Sequence, residues 1–335
     1  MENKIEVFIL TFNRIRFLRE SLNSILAQTV KTQVTVVDNA SDDGTCEYMS
    51  EMAEKFDNVF YVRNEKNLGY NGNMQKAVSL AKKPYVMLFH DDDILHESYI
   101  ALANTALEKF PDLDLIMSDV RGVLSENINA LNWEKPNPKA YFCKDKLELT
   151  LFMYAVGKMA YPSVIYKSEY IREKVFGWDD CIGKIYDKIF VCECMGKGTA
   201  ISFTDKNLLR YRIHNGQDTN AANDCGYAEK ISANYIAYFK GAAAKSALAK
   251  FLFGIKTHKV LRSLCAMLMP KNYPFGDFVR AVDGKCKLPF LTKICDVPVL
   301  GNIAYALENA AVFLYRQSVK TVSYTHLTLP TIYSV

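Results

Sequence analysis

The chain has 335 residues, half of them hydrophobic, and a formal net charge of +4. That much apolar sequence supports a sizeable core, either one large domain with an appendage or two domains. No uninterrupted apolar stretch is long enough to span a bilayer, and Met1-Glu2-Asn3-Lys4 leads straight into a strand-like segment rather than a secretory signal.

The nine cysteines are odd in number and scattered, with no paired metal spacing, and read as reduced thiols of a cytoplasmic protein. The charge is asymmetric. Residues 226–320 carry 14 Lys and Arg against 5 Asp and Glu, whereas residues 1–225 carry 27 against 32. An acidic head and a basic tail point to two jobs.

Ile5–Leu10 reads as a buried strand, broken at Thr11-Phe12-Asn13-Arg14. A helix follows, with Leu18, Leu22, Ile25 and Leu26 on one face. Gln33–Val37 is a second strand ending on Asp38-Asn39, and Ser41–Thr45 a turn that caps the next helix. Val59–Val62 is a third strand; Asn67-Leu68-Gly69-Tyr70 is a loop before a helix over 73–81. Tyr85–Phe89 is a fourth strand and runs into His90-Asp91-Asp92-Asp93. Such alternation predicts a mostly parallel α/β sheet with right-handed crossovers. Thr11, Asp38, Asn67 and Asp92 then converge on one crevice, where open α/β sheets bind ligands.

Three adjacent carboxylates repel unless a positive group sits among them. A hard divalent cation would answer that, and could hold a diphosphate. A solvated turn or a helix N-cap is the alternative. Beyond the cluster, a helix is expected over 96–110, a strand over 112–118, and a long loop over 119–140 that suggests a functional surface or lid. Helices follow over 144–156 and 184–195, with a strand over 161–166 between them and short strands over 200–203 and 208–213 after them. Residues 227–268 read as helical, prolines interrupt the stretch beyond, and 299–315 is an apolar helix candidate. Residues 322–335 look like a translated sequencing-library adapter and are set aside as a foreign tail.

Four of these stretches together resemble family 2 glycosyltransferases of the GT-A fold. Leu10-Thr11-Phe12-Asn13-Arg14 resembles the family's first-strand motif and Val36–Thr45 its second-strand motif. Asn67-Leu68-Gly69 resembles its Asn-x-Gly loop, and the acidic cluster its Asp-x-Asp-Asp. The likeness is clear over residues 5–100 and weaker to about 215. It implies a catalytic domain over 1–216, with a nucleotide-binding half (1–100) and an acceptor half (101–216), and a helical basic region over 217–321.

The resemblance implies an inverting transfer of sugar from a nucleotide donor, UDP-linked, to a cell-surface glycan or lipid-linked acceptor, assisted by Mn²⁺ or Mg²⁺. Asp38 would accept from a pyrimidine imide, or else cap its own turn. Thr11, Asn13, Arg14, Asn67, Gly69 and Asp91 would line the donor pocket, and Arg212 would contact phosphate. Asp92 leads as metal ligand, with Asp93 and His214 as further ligands; His214 could instead touch the diphosphate. His90 departs from the pattern, standing where the family usually has an acid. For the base, the resemblance points to Asp187, eleven residues before Gly198, although Tyr186 replaces the preceding Glu. Asp179 and Asp180 are rivals.

The basic tail is either a set of solvated helices or an attachment to the anionic inner face of the membrane. No nucleic-acid-binding fold is legible. The competing functional reading is a non-catalytic nucleotide-sugar-binding protein or scaffold. A nucleotidylyltransferase would need a Gly-rich, Arg-containing loop after the first strand, and 11–14 is not one.

Overall fold

The computed structural model describes residues 2–129, 132–136, 139–155, 159, 161–176, 187–214, 225–245, 247–270, 272–288 and 321–323. The first half alternates as the hydrophobic pattern dictates: β1 (Ile5–Thr11), α1 (Ile15–Leu26), β2 (Gln33–Asp38), α2 (Thr45–Lys55), β3 (Val59–Arg63), α3 (Gly69–Leu80) and β4 (Tyr85–His90). Every residue of β1 is buried, as a strand covered on both faces requires. β4, β1, β2 and β3 lie side by side and parallel. Thr11 pairs with Asp38, and Leu10 with His90. The carboxyl ends of three strands are therefore level, and the loops leaving them share one rim.

The chain continues through β5 (Ile94–Leu95), α4 (Tyr99–Lys109), β6 (Leu113–Ser118), β7 (Arg121–Leu124), β8 (Lys139–Cys143), α5 (Lys146–Ala155), β9 (Ile165–Lys167) and α6 (Ser168–Phe176). It then forms α7 (Asp187–Glu193), β10 (Thr199–Phe203), β11 (Leu209–Ile213), α8 (Cys225–Ala243), α9 (Ala247–Leu268), α10 (Phe275–Cys286) and β12 (Thr321–Ser323). The large sheet has the order β12-β8-β10-β6-β9-β4-β1-β2-β3. It is mixed, because β9 runs antiparallel between β4 and β6, and β8 antiparallel to β10. A short second sheet, β5-β11-β7, stands beside it.

Several elements differ from the sequence expectation. The long loop over 119–140 holds β7 and the start of β8. In β7 only Val123 is buried, so no apolar alternation marks it as a strand. The strand expected over 161–166 is a 3₁₀ turn at Tyr161–Ser163 followed by β9. α6 and α10 carry no expectation. α10 starts directly after Pro274, its N-cap residue, so that proline opens a helix rather than ending one. The apolar candidate over 299–315 lies outside the described residues. Of the expected foreign tail, Val322 and Ser323 lie in β12 against β8, and 324–335 fall outside the described residues.

One apolar cluster runs from the sheet (Leu88, Leu115, Tyr166) through α5 and α7 into Ile231, Phe239, Leu261 and Phe278 of α8–α10. The C-terminal helices thus cover one face of the sheet. The other face is closed by α1, α2 and α4 through residues such as Leu18, Leu22, Met49 and Ile100. Among the described residues no helix is long and apolar enough to cross a membrane.

Candidate active site

At the end of β1 the chain must turn sharply, and Asn13 does so at φ 52°, a left-handed conformation that Asn tolerates better than most residues. Its main-chain N–H donates to Ser41 Oγ at 2.9 Å, and its side-chain oxygen accepts from the Asp42 N–H at 2.8 Å. Asn13 therefore locks the β1 and β2 loops together. Asp38 is fully buried behind them. One carboxylate oxygen accepts from the Ser41 N–H (2.9 Å) and hydroxyl (2.5 Å), the other from the Tyr61 hydroxyl (2.7 Å). Arg63 lies 3.5 Å from that second oxygen. Of the two roles open to Asp38, turn capping is the one its contacts display.

A cavity of about 240 Å³ opens at the rim between β1 and β4. Thr11, Arg14, Asn67, Gly69, His90 and Asp91 line it, together with Asn39, Tyr70 and Asn73. Gly69 sits at φ 71°, where a side chain would be strained. Asn67 Oδ1 accepts from the Gly69 N–H and from Asn39 Nδ2, at 2.8 and 2.7 Å, which fixes the loop.

The three acids are almost fully buried. Thr11 Oγ1 donates to Asp91 Oδ2 at 2.7 Å. The Arg14 guanidinium reaches both Asp91 (3.4 Å) and Asp92 (3.3 Å), so one cation holds two of the charges. His214 Nε2 lies 3.0 Å from Asp92 Oδ2, its ring tilted against Phe17. Burial, and then the neighbouring Asp92 charge, push Asp91 up to about 7 and raise Asp93 well above the usual carboxylate range.

Arg212 does a different job from the phosphate contact expected of it. It is 2 % exposed. Its guanidinium donates to the Asp92 carbonyl (2.6 Å), Glu20 (2.8 Å) and Ser125 Oγ (3.2 Å), and lies over the Phe17 ring. It props the cluster from behind rather than facing the cavity. Arg14, by contrast, is 28 % exposed and lies at the cavity wall.

Asp187 opens the described part of α7. Burial pushes its carboxyl up to about 7. Burial, and then the charges of Asp93, Asp92 and Asp187, raise the Tyr211 phenol. Asp179 and Asp180 lie outside the described residues. The turn before β10 is held by Asp114, whose Oδ2 accepts from the N–H groups of Gly196 (3.0 Å) and Gly198 (2.8 Å).

The donor set fits a divalent cation. Asp93 Oδ2 is buried and has no hydrogen-bond partner among the described residues. One ligand atom each from His90, Asp92 and Asp93 lie within 4.8 Å of one another. Sequence reasoning passed over three residues here. Asn39 and Tyr70 sit beside the motif residues, and Glu20 lies off the apolar face of α1, the helix's visible signal, where it pairs with Arg212.

A mixed α/β sheet flanked by helices, with acids at the end of its fourth strand, is the GT-A arrangement. Residues 6–165 match the model of glycosyl transferase family 2. An uncharacterized glycosyltransferase of Methanocaldococcus jannaschii is 28% identical over 63% of this chain and 71% of its own. The abequosyltransferase RfbV of Salmonella typhimurium is 27% identical over 70% of this chain and 73% of its own. Among solved structures, residues 1–349 of TarS from S. aureus, in complex with UDP-GlcNAc, superpose with a TM-score of 0.59. Identity there is 17%, over 94% of this chain and 90% of that one. The mannosyltransferase PcManGT from Pyrobaculum calidifontis, in complex with GDP-Man and Mn²⁺, gives 0.51 at 14% identity, covering 94% and 86%. Residues 6–165 form a glycosyl transferase family 2 domain.

Proposed function

We propose that this glycosyltransferase moves a sugar from a UDP-linked donor to a hydroxyl of a cell-surface glycan or lipid-linked acceptor, in one displacement with inversion. The observation that carries the reading is Arg14 spanning Asp91 and Asp92 at the wall of a cavity between β1 and β4. Nucleoside would lie along Thr11, Asn67 and Gly69, with Asp91 facing its ribose and Asp38 and Asn13 holding the walls. Arg14 would meet the diphosphate. Asp92 and Asp93 would hold Mn²⁺ or Mg²⁺, with His214 orienting Asp92. A cation held by these residues would supply charge neutralisation to a nucleoside diphosphate leaving group. Asp187, with its pKa near neutrality, is suited to take the acceptor proton. The TarS complex with UDP-GlcNAc and the PcManGT complex with GDP-Man and Mn²⁺ support a nucleotide-sugar donor and a metal. RfbV, an abequosyltransferase, supports sugar transfer as the reaction.

The basic helices are read as a peripheral contact with an anionic cytoplasmic membrane face. Exposed Phe251 and Met267 share α9 with Lys250, Lys259 and Arg262, the mix such a contact uses. The test of activity is nucleoside diphosphate release from a panel of nucleotide sugars with Mn²⁺ and a crude glycolipid acceptor. One sugar should turn over, and Asp92→Ala and Asp187→Asn should abolish the signal. Turnover that survives Asp187→Asn reassigns the base to Asp179 or Asp180.

A further inference from the structure

We propose that His90 is itself a ligand of the cation, making a His-Asp-Asp set that favours a transition-metal dication such as Mn²⁺ over Mg²⁺. This rests on the metal site of the proposed function and assigns one more residue to it.

His90 ends β4, opposite Leu10 of β1, and its ring lines the donor cavity. Nδ1 lies 4.0 Å from the buried Asp93 Oδ2 that has no hydrogen-bond partner among the described residues. Two ligands on one cation, each about 2.1 Å from it, are separated by about 3.0 to 4.2 Å. The His90–Asp93 pair is therefore already at ligand spacing, and Asp92 completes a set contained within 4.8 Å. The ring stands edge-on to Tyr70 at 6.3 Å and tilted to Tyr161 at 5.9 Å, neighbours that fix its plane. His214 is differently placed. Its Nε2 is 3.0 Å from Asp92 Oδ2, where it orients a ligating carboxylate from outside. A neutral imidazole nitrogen is a softer donor than the carboxylate that family 2 usually has at this position. Mg²⁺ prefers oxygen ligands alone, whereas transition-metal dications accept nitrogen readily.

The test is pulsed electron paramagnetic resonance of Mn²⁺ bound to the full chain with UDP. Wild type should show the electron-spin-echo modulation of a directly bound imidazole ¹⁴N. His90→Gln and His90→Asp should lose it, and His214→Gln should keep it. His90→Gln should weaken Mn²⁺ binding at least about tenfold and leave Mg²⁺ binding within about twofold. His90→Asp keeps a ligating group, and should bind metal with the preference shifted towards Mg²⁺. Mn²⁺ and UDP bound without nitrogen modulation would overturn the assignment of His90 while leaving the metal site standing. Modulation that persists in both His90 variants and disappears in His214→Gln would also overturn it. Failure of Mn²⁺ to bind with UDP at all would remove the metal site and this inference together.

Discussion

The main-chain N–H of Arg212 donates to Asp93 Oδ1 at 2.9 Å, tying β11 to an acidic turn 119 residues earlier. The same residue's guanidinium joins the Asp92 carbonyl to Glu20 on α1. The acids are thus held by a second, small sheet as well as by β4. Arg212→Gln should leave the Asp92 carbonyl unsatisfied and the Glu20 carboxylate, only 26 % exposed, without its cation. Urea unfolding should show a loss of about 2–4 kcal/mol, with donor binding impaired as well. Glu20→Gln should cost much less, since it keeps an acceptor for the guanidinium.

Crowding three acids in a buried site opposes folding when no cation is bound. Asp91 has its folded pKa raised to about 7, above the unfolded value of about 3.9. Its stabilising contribution is fully present below the unfolded pKa and is lost as pH rises through the folded one. In chelator, Asp91→Asn should therefore gain on wild type between pH 4 and 7 and hold that gain above it, by up to about 4 kcal/mol. Paired melting curves across this range check the sign.

A base titrating near neutrality leaves its mark on the rate. The Asp187 carboxyl, pushed up to about 7 by burial, should give a kcat/KM that rises through pH 7 to a plateau. Asp187→Asn should lower kcat by about 10²–10⁴-fold, remove that rising limb and leave donor binding intact.

The Gly196-Lys197-Gly198 turn is as tight as its spacing suggests. A Cβ at Gly198 would strike the Asp112 carbonyl oxygen, and both glycine N–H groups hold Asp114. Gly198→Ala should destabilise the chain by about 1–3 kcal/mol. Because the turn follows α7, it should lower activity beyond the fraction unfolded.

Periodicity was sufficient for β1 to β4 and the helices between them, because strands buried on both faces and amphipathic helices write themselves into hydrophobic order. The acids at the end of β4 and Arg14 were legible for the same reason, since a strand's end fixes where its next residues go. β7, β9 and the antiparallel setting of β8 were not. They are three to five residues long, and tertiary pairing rather than local pattern decides them. The phosphate contact expected of Arg212 came from the resemblance, whereas its guanidinium is engaged by the Asp92 carbonyl and Glu20. Its near-complete burial follows from β5 and β7 closing around β11, which no local spacing reveals.

The most direct measurement is the melting shift produced by UDP with and without Mn²⁺, in wild type and in Asp92→Ala. Wild type should be stabilised far more by UDP with Mn²⁺ than by either alone, and Asp92→Ala should lose that synergy while remaining folded. Equal stabilisation of both proteins, or a UDP shift indifferent to Mn²⁺, would contradict a cation held at the acidic turn.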